Sequence, residues 1–330
     1  MKKNHCFYLI ALGVFIFAHS CTAQESGNLN NTLSASVPSE VELAETPVQN
    51  LDLPLRIKDD TIPLRKLIDS TLQKKLEQEI NKKPRWKKLV ANKRMAIGVV
   101  DLSDVNNIRF ACVNGNHMMY AASLPKIAVL LAATDAIEKG ELIETKAVKA
   151  DMKIMISKSN NAATTRMINR IGYEKIEAVL TSDRYNLYDE EYGGGLWVGK
   201  CYGSGGDTNR DPLKNLSHAA SVTQVCRFYY LLAQGKLVTE QRSKLMLDIM
   251  EDPALHHKFV NTLNRIAPNA RLFRKSGSWK NWHSDSVLVW GQDPNRRYIL
   301  VALIEDNNGE QIIRNLVEPL ERVLKNKETF

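Results

Sequence analysis

Ser123-Leu124-Pro125-Lys126 sets a hydroxyl and an amine three residues apart, so on a helix the two share one face and the amine can reach the hydroxyl. That is a nucleophile with a base beside it. A second segment, Ser159-Asn160-Asn161, supplies another hydroxyl and a carboxamide, suited to relaying a proton and gripping a substrate amide. A third, Lys275-Ser276-Gly277, puts a cation beside a hydroxyl and a glycine, suited to a substrate carboxylate. In this order the three describe an acyl-transfer site. Each alone is weak, because about one S-x-x-K is expected by chance in a chain this rich in Ser and Lys. An S-x-N recurs at Ser26-Gly27-Asn28 with no chemistry to do. Order and context make the case.

The elements that must position these residues are legible in the apolar spacing. Ser123 precedes the run Ile127, Leu130, Leu131 and Ile137, which places it at a helix N-terminus, where Pro125 is tolerated because first-turn N–H groups lack intrahelical partners. Lys275 follows the expected strand Ala270–Arg274, and the alternation over Asp285–Trp290 gives a second strand. Upstream, Leu64, Leu67, Ile68, Leu72, Leu76 and Ile80 predict one amphipathic helix, followed by strands at Met95–Leu102 and Ile108–Val113. From Ser123 to about Leu263 the pattern is mainly helical, with a capping box at Ser221-Val222-Thr223-Gln224 and a cap at Thr239. A strand around Ile299 and a helix carrying Ile312, Ile313, Leu316, Val317, Leu320, Val323 and Leu324 end the pattern.

Together, Ser123-x-x-Lys126, Ser159-x-Asn161 and Lys275-Ser276-Gly277 resemble the active-site set of class A β-lactamases and penicillin-binding proteins. The resemblance covers about residues 62–328. It implies an α/β (α+β) fold of the β-lactamase/transpeptidase type, an antiparallel five-stranded sheet flanked by terminal helices. A helical lobe at about 123–265 is inserted, and the site lies where the lobes meet. It further implies that Ser123 attacks a carbonyl, that Lys126 takes the Ser123 proton, and that Ser159 passes a proton to the departing nitrogen. Asn161 would hold a substrate amide and Lys126, Lys275 would anchor a carboxylate beside Ser276, and Gly277 would let the strand approach the ligand. The backbone N–H groups of Ser123 and Ser278 would stabilise the oxyanion. No cofactor or metal is implied.

Two departures from the family pattern matter. Ser123 and Ser159 are only 36 residues apart, fewer than in class A enzymes, which predicts a more open cleft. Where those enzymes carry E-x-x-L-N, this chain reads Cys201-Tyr202-Gly203-Ser204-Gly205-Gly206, and Glu190, Glu191 and Asp211 are imperfect substitutes. The leading expectation is an exported serine hydrolase that opens β-lactams. The alternatives are a DD-peptidase or penicillin-binding protein acting on peptidoglycan stem peptides with slow deacylation, and a non-catalytic cell-wall binding protein of the same fold. The expected partner is a small β-lactam or peptidoglycan peptide, and the expected state is a monomer.

The N-terminus gives the compartment. Lys2, Lys3 and an apolar run from Cys6 to Phe17 read as a signal peptide over residues 1–20. Ala18-His19-Ser20-Cys21 resembles a lipobox that would lipidate Cys21, with cleavage after Ala23 as the alternative. Both place the protein in the periplasm or cell envelope. Residues 21–61 read as a tether and 62–330 as the catalytic domain. The formal charge of +8 comes without a basic block interleaved with aromatics, so nucleic-acid binding gains no support. Cys112, Cys201 and Cys226 allow at most one disulfide, with the pair left open. Gly194-x-x-x-x-Gly199-Lys200 imitates a phosphate loop but has Cys201 where Ser or Thr would hold a cation; it is read as a cleft rim, with Trp197 as packing or a substrate contact.

Overall fold

Two apolar layers on either side of one sheet decide the architecture. A computed structural model describes residues 52–55, 61–203 and 205–325. The expected signal peptide, Cys21 and nearly all of the tether lie outside these residues. The sheet has five antiparallel strands, as expected, and their order is β2-β1-β10-β9-β8. They are β1 (Met95–Asp101), β2 (Arg109–Val113), β8 (Arg271–Trp279), β9 (Trp282–Trp290) and β10 (Arg297–Glu305). Strand β8 is an edge. β1 and β10 are buried on both faces, so their sequences run nearly continuously apolar.

Alternate side chains of these strands go to different layers. Met95, Ile97, Val99, Leu300 and Ile304 face a core shared with α1 (Ser70–Asn81), α2 (Pro84–Ala91), α9 (Phe259–Ile266) and α10 (Gly309–Lys325). Ala96, Val100, Ile299, Val301 and Leu303 face a core shared with the helical lobe. That lobe comprises α3 (Lys126–Glu138), α4 (Lys146–Ser157), α5 (Asn161–Ile171), α6 (Tyr173–Thr181), α7 (Val222–Ala233) and α8 (Glu240–Met250). Helix α3 is buried from Lys126 to Ile137 and touches α4, α5, α6 and α8.

Several expectations are corrected. The helix expected from Leu64 breaks: Leu64–Leu67 form a 3₁₀ turn, Ile68 bridges to Phe110 in β2, and Asp69 then caps α1 by accepting from Leu72 N at 2.6 Å. Helix α2 starts at Pro84, where the missing N–H costs nothing, and the spacing did not reveal it. The tether ends earlier than expected, since Leu53 and Leu55 are buried and Leu55 N donates to Ala233 O. The capping box at Ser221 is not formed: Ser221 Oγ and both Gln224 side-chain atoms are buried without partners. Thr239 does cap α8. Short strands also occur, β3 (Met119–Tyr120) just ahead of the helical stretch and β4 (Tyr188–Asp189), β5 (Gly194–Gly195), β6 (Trp197–Val198) and β7 (His218–Ala220) within it. Residues 194–198 are therefore buried, and of the loop read as a rim only Lys200 lines the cavity. Trp197 is packing, stacked at a tilt on Tyr188 and donating from Nε1 to Asn209 O. Cys112, Cys201 and Cys226 are free thiols.

Candidate active site

Ser123 sits in a turn that opens α3, with Ala122 before it held in the left-handed region at φ 49°. Such a residue stores roughly 1–3 kcal/mol of backbone strain, which surrounding structure must over-determine. What fixes it is the neighbouring sheet: Ser284 Oγ in β9 donates to Ala121 O at 2.8 Å, and Ala121 N donates to His218 O. Ser123 itself is half-buried and opens on a cavity of about 740 Å³ between the lobes.

Lys126, one turn on, is fully buried. Its Nζ donates to Ser159 O at 2.7 Å and Asn161 Oδ1 at 2.8 Å, and lies 3.4 Å from Ser159 Oγ. These bonds run to the 159–161 turn rather than to Ser123 Oγ. The turn is shaped for the purpose. Ser159 has φ 55°, Asn160 caps α5 by accepting from Ala163 N at 2.8 Å, and Asn161 is the first helical residue. The middle residue of that motif is thus structural, while its neighbours face the chemistry.

Lys275 comes in from β8. It is also buried, and its Nζ donates to Ser159 Oγ at 2.9 Å and to Ser276 O at 2.5 Å. One hydroxyl therefore bridges two amines. Lys275 is enclosed and is not among the described residues that line the cavity. Its influence reaches the cavity through Ser159. Burial lowers the Lys126 pKa to about 7, and burial, then the charge of Lys126, hold Lys275 well below the usual lysine range. For Lys126 the cause is desolvation by burial.

Gly277 is where the strand meets the nucleophile. A Cβ there would press on Ala121 O and lie 2.5 Å from Ser123 N and 2.6 Å from Ser284 Oγ. Only glycine fits this approach. It brings the Ser123 and Ser278 backbones together at the mouth of the cavity, which Ser278 lines. Ser276 is buried at the foot of the same strand. The three motifs converge.

Sequence reasoning missed the rest of the wall. Tyr202 is buried with its ring 4.5 Å from Lys126 Nζ and its hydroxyl donating to Ala122 O. His218 packs against that ring at 4.1 Å. Its Nε2 is 3.0 Å from Lys200 O and must donate, so Nδ1 accepts from Ser217 Oγ. Burial holds its pKa near 4, leaving the ring neutral. Tyr120, Trp279 and Trp282 complete an aromatic rim, with Lys200 and Arg210 as cations. No carboxylate is among the described residues lining the cavity. Asp211 is buried holding its own loop, accepting from Leu213, Lys214 and Leu216 N and from the Tyr188 hydroxyl. Glu190 and Glu191 also lie off the cavity.

A family model described as a β-lactamase enzyme family matches residues 148–322, just over half of the chain, beginning downstream of Ser123. Among solved structures, a β-lactamase from Sphaerobacter thermophilus DSM 20745 superposes with a TM-score of 0.55 at 17% identity, covering 70% of this chain and 90% of its own. A PBP-A mutant in acyl-enzyme complex with penicillin G gives 0.56 at 18%, over 81% and 100%. TLA-3 extended-spectrum β-lactamase gives 0.57 at 11%, over 75% and 98%. At these identities the likeness shows the β-lactamase/transpeptidase-like fold. No curated protein sequence matches the chain.

Proposed function

Because the chain belongs to the β-lactamase enzyme family, we propose that it is an exported serine hydrolase that opens the amide of β-lactams through an acyl-enzyme on Ser123. The observation that carries this reading is the Lys126–Ser159–Lys275 bridge set beside Ser123, with Gly277 pressed to the Ser123 amide. A structural serine needs no such surroundings.

The steps follow from the geometry. With a pKa near 7, Lys126 is neutral about half the time at neutral pH and can accept the Ser123 proton as Oγ attacks the carbonyl carbon. Negative charge develops on the carbonyl oxygen, where the Ser123 and Ser278 N–H groups would donate. As the C–N bond breaks, Ser159 Oγ gives its proton to the nitrogen and recovers one from the lysines bonded to it. Water then cleaves the ester, releasing the acid and restoring Ser123. Lys200 and Arg210 line the cavity and give it a positive wall suited to anionic substrates.

A second reading is a peptidase or penicillin-binding protein on peptidoglycan stems with slow deacylation; the absence of a carboxylate along the described cavity wall favours it. Purified protein with a chromogenic cephalosporin and a fluorescent penicillin separates the two. Rapid colour change supports hydrolysis; a persistent label on Ser123 supports the second reading. Absence of both would leave a binding protein. Ser123→Ala, which deletes one oxygen from a half-buried turn, should abolish labelling and leave the fold, so an unchanged mass adduct would refute the assignment. The proposal includes an acyl anchor on Cys21, checked by whether Cys21→Ala moves the full chain out of the membrane fraction.

A further inference from the structure

A third buried amine lies against β8, and the acyl-transfer steps above leave it unused. Lys258 is completely buried just before α9, with its backbone in the left-handed region at φ 57°. Its Nζ donates to Gly277 O at 2.5 Å, to Ser278 Oγ at 2.8 Å and to Ser284 O at 3.0 Å. Three acceptors surround the amine, one for each N–H of an ammonium. The segment is clamped in place. Arg274 forms a bidentate pair with Asp285 and donates to Leu255 O and His257 O, while Asp285 accepts from Phe259 N. Desolvating and straining a lysine is costly, so this one is held for a reason.

We infer that Lys258 is a positioning residue of the oxyanion hole: its ammonium grips and polarises the Gly277–Ser278 peptide and so strengthens the Ser278 N–H as a donor to the acyl oxyanion. This rests on the acyl-transfer reading. The peptide unit is planar and conjugated, with C=O and N–H on opposite sides. A cation on the oxygen draws density from nitrogen and makes the N–H a stronger donor, as in any polarised hydrogen-bond chain. The same grip fixes where the N–H sits, and Gly277 keeps it against Ser123 N.

The groups acting on Lys258 are Asp285 and Arg274 on the sheet, Glu310 on α10, and also His257, His283 and Lys275. Burial lowers its pKa to about 8, so the ammonium persists at neutral pH and is lost in mild alkali. The test measures acylation by a fluorescent penicillin, together with affinity for a boronic acid that forms a tetrahedral adduct on serine. Lys258→Met should slow acylation about 30-fold and weaken the boronate by a similar factor, with KM nearly unchanged, and Lys258→Arg should restore most of both. A purely structural lysine would not split the adduct from the ground state in this way. Should Lys258→Met not fold, the parent protein still decides: its acylation rate should fall above pH 8, and Lys258→Arg, which stays charged, should lose that fall. Equal rates for parent and Lys258→Met, or an identical alkaline limb in Lys258→Arg, overturns the inference alone. An unlabelled Ser123 in the parent overturns it together with the acyl-transfer reading.

Discussion

Replacing Lys126 with methionine should stabilise the protein while destroying acylation, and the gain should depend on pH. Lys126 is fully buried, and its pKa falls from 10.5 to about 7 through desolvation. At ~1.4 kcal/mol per pKa unit, a lowering of this size means the charged amine costs the fold roughly 5 kcal/mol. The sign follows from proton counts. Below pH 7 both the folded and unfolded amine are protonated and the whole cost is present. Between about 7 and 10.5 the unfolded chain binds the extra proton, so stability rises with pH, and above 10.5 the cost is gone. Methionine has similar length and no charge to desolvate. It forfeits the hydrogen bonds to Ser159 O and Asn161 Oδ1, worth about 1 kcal/mol each on a turn that water reaches. The balance at pH 6 is a gain of about 3 kcal/mol, or about 6 °C in Tm for a chain of this size. Thermal melts of both proteins at pH 6, 8 and 10 are the assay. The advantage should shrink steadily above pH 7 and change sign near about pH 9. A variant that melts below the parent at pH 6, or a difference that ignores pH, refutes the reasoning.

Two other perturbations probe the frame around the site. Gly277→Ala drives a methyl into Ala121 O and the Ser123 amide, and because backbone cannot yield cheaply, acylation should fall by at least ~100-fold, the cost of an oxyanion donor, with near-parental circular dichroism; labelling within a few-fold of the parent would contradict the approach described. Asp285→Asn strands the Arg274 guanidinium in the core, which should cost about 3–5 kcal/mol in a denaturant titration. The double change Arg274→Met with Asp285→Leu should recover much of that loss, and no recovery would mean the pair supplies more than charge balance.

The three motifs were legible because they rest on residue type and order, and the structure brings Ser123, Lys126, Ser159, Asn161, Lys275 and Gly277 to one place. The sheet was legible for a different reason, since alternation in β9 and the apolar runs of β1 and β10 follow directly from which faces are covered. What escaped depends on contacts made after folding. Lys258 is one lysine after two histidines, and its meaning arises only when α9 lays it across β8 and β9. Tyr202 reads as loop aromatic until its ring meets Lys126. Asn160, the variable position between Ser159 and Asn161, is a helix cap, which its place in the motif does not reveal. The failed capping box at Ser221 shows the converse, a correct helix start whose side chains are turned inward by burial. The enclosure of Lys275 was not legible either, because sequence spacing carries no information on burial.

The architecture also bears on turnover. Under the proposed function, cleaving the ester needs a group to take a proton from water; the described wall holds no carboxylate, while His218 lies on it and Lys126 reaches it through the 159–161 turn. His218 is neutral but has both ring nitrogens engaged, with Lys200 O and Ser217 Oγ. Lys126 differs: having returned its proton through Ser159 to the departing nitrogen, it is neutral again once the acyl-enzyme forms. One amine would then serve both halves of the reaction, and both would share its titration. Deacylation of a penicillin adduct, followed by mass spectrometry across pH, should therefore rise about tenfold per unit below pH 7 and level off above it. A carboxylate base would instead already be fully effective by about pH 6, given its ordinary pKa near 4. A rate that is flat from pH 5 to 7 would exclude the shared amine and require a base that enters the cavity from elsewhere.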